Sequence, residues 1–138
     1  MHMKKDILLF IVLLFLGMDH ALCQNSYQCF MNDKNNTLQI SVCVDKNDNP
    51  LYVKYKGQDE TIPLFLLKTK RVLNAPDGNP KYYYFRTYRE VYRGKTTGTY
   101  VFTNAGLGGV DVTYHRNRDK KEFYFILISD SGGDKPCF

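Results

Sequence analysis

Beyond residue 25, apolar and polar side chains alternate with a period of two through most of the chain. That spacing sends successive side chains to opposite faces, as in strands that bury one face and wet the other. Residues 26–31 form a first short segment, and 37–44 sets Leu38, Ile40 and Val42 against Thr37, Gln39, Ser41 and Cys43. Within 51–56 the apolar set is Leu51, Val53 and Tyr55; within 60–68 it is Ile62, Leu64 and Leu66, with Pro63 marking an edge or a bulge. Extended segments at 81–93 and 98–103 follow. In the final pair, Val110, Val112 and Tyr114 share one face, as do Phe123, Phe125 and Leu127 beyond a turn at 117–121. One register brings both apolar faces together: Tyr114 opposite Phe123, Val112 opposite Phe125 and Val110 opposite Leu127. A slip of one residue would turn a whole strand inside out.

Clusters of Gly, Pro, Asn and Asp punctuate these segments at 33–36, 45–50, 57–59, 74–80 and 104–109. Pro76, Pro80 and Asp77-Gly78 exclude a helix from the longest loop; a short helix within 66–73 is the one helical alternative. The pattern predicts an all-β domain, a single antiparallel meander of about eight strands forming a β-sandwich or a small closed barrel.

The start of the chain follows another rule. Lys4 and Lys5 precede an unbroken apolar run over 7–18, of signal-peptide length and too short to span a bilayer as a helix. Ala21-Leu22-Cys23 supplies small residues for cleavage after Cys23, so residues 1–23 read as a signal peptide and 24–138 as one exported β domain. Cys23 as a lipidated cysteine is the competing reading. Localisation is then periplasmic or secreted. The formal net charge of +5 is unchanged by that cleavage, because the removed segment holds two lysines and two aspartates. It favours solubility and attraction to anionic surfaces.

An exported chain that keeps Cys29, Cys43 and Cys137 is expected to oxidise some of them. A hairpin turning on Asn36 places Cys29 opposite Cys43 on neighbouring strands, a separation that suits a disulfide. Cys137 bonding one of these two is the rival arrangement. No spacing of Cys and His fits a metal centre, and no phosphate-binding glycine loop or serine elbow is present, so neither a metal nor a cofactor is expected. The segment 45–50 places oxygen donors at alternate positions, but lacks the central glycine and closing glutamate of a calcium loop and reads as a turn.

The most distinctive stretch is 81–93. With period two, Tyr82, Tyr84, Arg86, Tyr88, Glu90 and Tyr92 share one face, and Tyr83, Phe85, Thr87, Arg89, Val91 and Arg93 the other. Neither face is cleanly apolar. Rings beside guanidinium groups are what recognition patches use, so Tyr84, Arg86, Tyr88, Arg89, Tyr92 and Arg93 are the candidate binding residues. His115 is the single histidine beyond residue 23; a strand-end histidine before Arg116 has no partner set that demands catalysis.

Tyr27-Gln28-Cys29, Cys43, the run 51–55 with Ile62-Pro63-Leu64, and the near-terminal Cys137 together resemble the outline of small periplasmic lysozyme inhibitors. The resemblance implies an eight-stranded antiparallel β protein that plugs a lysozyme active site with a loop. The family's Ser-Gly-x-x-Tyr segment has no clear counterpart, so no inhibitory residue carries over. The expected function is an exported non-enzymatic binding module with a protein partner, such as a secreted hydrolase or toxin. A small secreted hydrolase or nuclease-like effector using His115, and an anionic-glycan-binding surface protein, are the alternatives. Nucleic acid is not an expected partner.

Overall fold

The computed structural model describes residues 25–75, 77–105 and 110–138. Residues 1–24, which include the expected signal peptide and Cys23, and most of the glycine-rich turn at 104–109 lie outside the described residues. Eight antiparallel strands follow one another as β1 (Ser26–Asn32), β2 (Gln39–Val44), β3 (Pro50–Tyr55), β4 (Thr61–Asn74), β5 (Lys81–Tyr92), β6 (Lys95–Ala105), β7 (Val110–Arg116) and β8 (Glu122–Gly133). Each pairs with the next, and β8 returns to β1, so the meander closes into a barrel rather than folding over as a sandwich. Closure leaves neither β1 nor β8 as an exposed edge. Among the described residues no helix is long and apolar enough to cross a membrane.

The alternation read from the sequence sets the core. Phe30, Ile40, Val42, Val53, Val112 and Phe125 point inward and are fully enclosed, joined by Tyr100, Phe102 and Tyr88. An eight-stranded barrel is just wide enough for such side chains to fill its interior. Tyr114 lies opposite Phe123 and Val112 opposite Phe125, as the coincidence of apolar faces requires. Between β5 and β6, Tyr92 pairs with Lys95 across Arg93-Gly94, both with positive φ, at 49° and 77°. This is the two-residue turn whose twist matches the strands it joins.

The first hairpin departs from expectation. Cys43 stands opposite Tyr27, and Cys29 opposite Ser41, a slip of two residues from the register that would have set the cysteines together. The turn closes earlier because Asn32 is buried and organises it. Its Oδ1 accepts from the amides of Lys34 and Asn35 at 3.2 and 2.9 Å, and its Nδ2 donates to the Tyr124 carbonyl at 3.0 Å. Cys29 is bonded instead to Cys137, with a Cα separation of 5.8 Å, and Cys43 is a buried free thiol. The expected Cys29–Cys43 bond is thereby corrected. The Cys137 amide donates to Ser41 Oγ at 3.4 Å, laying the C-terminal tail against β2.

β4 is longer than its pattern suggests. It runs on as a strand through residues 66–73, where a helix was the alternative, because β5 pairs with it out to Asn74 opposite Lys81. β3 pairs only with Thr61, Ile62 and Pro63. The remainder of the β4–β5 hairpin therefore stands beyond the end of β3, and Leu66, on the face of Ile62 and Leu64, is exposed there.

Candidate functional site

The two ends of the barrel carry different turns. At one end Arg86 reaches from β5 to the β2–β3 turn and donates from Nη1 to Asn49 Oδ1 at 3.0 Å. In that turn Asp45 Oδ1 accepts from the amides of Asn47 and Asn49 at 2.8 and 3.0 Å. These bonds, the Asn49 amide above all, hold the Asp45 carboxyl below its usual range. The oxygen donors at 45–50 thus serve the turn.

At the opposite end the β3–β4, β5–β6 and β7–β8 connections rim a cavity of about 910 Å³. Leu38, Tyr55, Ile62, Tyr92, Phe123 and Phe125 give it apolar and aromatic walls. That volume is within the range that encloses a small organic ligand. Lys95, Arg116, Arg118, Asp59 and Glu60 stand around the mouth. Arg116 is held by Asp119 through bonds of 3.0 and 2.7 Å and lies over the Phe123 ring at 4.9 Å. The guanidinium keeps the Asp119 carboxyl well below the usual carboxylate range.

Glu90 is the chemically distinctive group. It projects from β5 into the barrel, lines the cavity and is only 4 % exposed. Its Oε1 accepts from Thr97 Oγ1 at 2.6 Å and from Tyr114 Oη at 2.9 Å, and its Oε2 accepts from Tyr100 Oη at 2.7 Å. Because Tyr100 spends its one proton on Glu90, the hydrogen bond between Tyr55 and Tyr100 has Tyr55 as donor. Tyr100 stacks on Tyr114 with ring centroids 4.5 Å apart. Burial, before any neighbouring charge, pushes the Tyr55, Tyr100 and Tyr114 phenols well above their ordinary range. All three remain donors at any pH the protein would normally meet.

The candidate residues of β5 fall in different environments. Tyr88 is core, 3 % exposed, with its ring edge-on to Phe102 at 5.5 Å. Tyr92 forms part of the cavity wall, with the Arg93 guanidinium 5.0 Å from its ring centre. Arg93 is open to solvent and paired with Glu60 at 3.7 Å. Arg86 lies at the end away from the cavity, bonded to Asn49. Arg89 faces outward over the Phe65 ring at 5.2 Å, and Tyr84 is exposed on the hairpin opposite Arg71. The residues do not form one patch. His115 points outward, half-exposed, with Glu122 at 3.8 Å, while its neighbours Tyr114 and Arg116 line the cavity.

Sequence reasoning missed Glu90 as a site. The signal was present: Glu90 is the one acid on the tyrosine-bearing face of β5. Its partners Thr97, Tyr100 and Tyr114 come from other strands, which no local spacing reveals. Comparison with family models, curated proteins and solved structures finds no match for this chain.

Proposed function

We propose that this chain is an exported, non-enzymatic binding module whose ligand is a small amphipathic molecule held in the open mouth of the barrel. The observation that supports it is the cavity itself, with aromatic walls and a buried carboxylate among hydroxyls. A few convergent polar groups in an otherwise apolar pocket fix a ligand's orientation, while the walls supply the burial. The Cys29–Cys137 bond is compatible with an oxidising compartment outside the cytoplasm.

The test is uptake of the neutral dye N-phenyl-1-naphthylamine, followed by fluorescence. Saturable one-to-one uptake that weakens at least fivefold in Tyr92→Ala and is unchanged in Arg89→Ala supports the reading. Uptake that ignores Tyr92→Ala, or no uptake, overturns it.

A second reading, a protein partner such as a secreted hydrolase, is favoured by the β4–β5 hairpin. There Leu66, Leu67, Leu73, Tyr82 and Tyr84 are exposed beside the unpaired edge of β4. Lys68, Lys70 and Arg71 on that edge make an acidic extended segment the complementary occupant, since a second copy would set like charges against each other. Lys70→Glu would weaken capture of such a partner and leave dye uptake unchanged.

A further inference from the structure

We infer that the barrel mouth selects an organic cation, an ammonium group on a compact apolar body, with Glu90 as its counter-ion; the inference rests on the small-ligand reading above. A buried carboxylate is costly unless a cation or a full set of donors compensates it. Glu90 has neither in full. Among the described residues the ion pairs are Arg93–Glu60, His115–Glu122 and Arg116–Asp119, and no cation is paired with Glu90. Its three donors are neutral hydroxyls, and a carboxylate offers about four acceptor sites. Oε2 receives Tyr100, and the Tyr55 hydroxyl also interacts with the carboxylate, so the compensation within reach comes from neutral hydroxyls and leaves the charge itself unpaired.

The surroundings of this group suit a cation better than a neutral donor. Tyr55, Tyr92, Tyr114, Phe123 and Phe125 line the same cavity, and ring faces attract positive charge through their quadrupole. Two of these rings already carry a guanidinium: Arg93 lies over Tyr92 and Arg116 over Phe123. Both arginines are also paired with acids, Glu60 and Asp119, which reduces the repulsion an entering cation would meet. Lys95 and Arg118 stand at the rim, exposed to water and outside the ion pairs among the described residues, so salt screens them. Glu90 lies inside, where interactions are screened far less.

Isothermal calorimetry with three probes of similar body tests this directly on the mature protein: 2-phenylethylammonium, 2-phenylethanol and 3-phenylpropanoate at pH 7. The cation should bind at least tenfold tighter than the alcohol, and the anion weakest. Glu90→Gln keeps the shape and one of the two acceptor oxygens, and should bring cation and alcohol within about twofold. Equal binding of cation and alcohol by the unmodified protein, tighter binding of the anion, or a cation preference that survives Glu90→Gln would each overturn the inference. In those outcomes the dye result still stands, so failure of the charge preference is distinct from failure of the barrel reading. The charge series on the unmodified protein decides the question even if the variant does not fold.

Discussion

Replacing Gly98 with alanine tests how the Glu90 cluster is held. Gly98 lies on β6 between Glu90 on one neighbouring strand and Arg116 on the other. Its missing side chain leaves the space that the Tyr114 ring crosses. A Cβ there would stand 2.6 Å from Tyr114 Cζ, a distance that real contacts do not reach. The ring has little room to retreat. It is stacked on Tyr100, tilted against Phe123 at 6.1 Å and tethered to Glu90 through its hydroxyl. Overpacking a core costs about 1–3 kcal/mol, and a lost hydrogen bond to a charged group about 1.5–3 kcal/mol. Alanine restricts the unfolded chain and returns about 0.4–1 kcal/mol. The expected net loss is about 2–5 kcal/mol, a large share of the 5–15 kcal/mol typical of a domain. Urea unfolding followed by tyrosine fluorescence measures it, since the chain has no tryptophan. In a Tyr114→Ala background the same change should cost less than about 1 kcal/mol, a coupling that a double-mutant cycle isolates. An unchanged midpoint in Gly98→Ala, or an equal cost in both backgrounds, would refute the account.

Two further outcomes follow from the cystine and the buried phenols. Cys29→Ser should lower stability by about 2–5 kcal/mol, because the bond joins residues 108 apart; an unchanged melt would show that the tail contributes nothing. The Tyr55, Tyr100 and Tyr114 phenols are raised in the fold, so their contribution is fully present below the unfolded value near pH 10 and is lost as pH rises toward the folded values. Above pH 10 stability should fall by up to about 1.4 kcal/mol per pH unit for each phenol, about 4 kcal/mol for the three. Melting from pH 8 to pH 11.5 should be flat at first and then drop steeply, and ultraviolet titration showing all the phenols ionising together near pH 10 would contradict this.

Period-two alternation was enough to specify an all-β chain of eight strands in meander order, because each short turn cluster can only return the chain beside the strand it left. It also specified the β7–β8 register, where Tyr114 and Val112 could meet Phe123 and Phe125 in one way without exposing a strand's apolar face. The faces of β5 were legible too: Tyr88, Glu90 and Tyr92 do share a side. What no local pattern carried was which strand lies across from that side. The β1–β8 pairing that makes the sheet a barrel joins residues about a hundred positions apart, and the same alternation would serve a sandwich. Closure then gives the one face of β5 two environments. It is interior at Tyr88 and Glu90, where the neighbouring strands surround it, and exposed at Tyr82 and Tyr84, beyond the end of β3. The cysteines follow the same division. Their number foretold a bond, but its partners depended on Asn32 shortening the first turn through a carbonyl supplied by β8. Alternation is a property of one strand and its own backbone geometry; partners, burial and the charge environment of Glu90 depend on residues distant in sequence, and only the closed barrel brings them together.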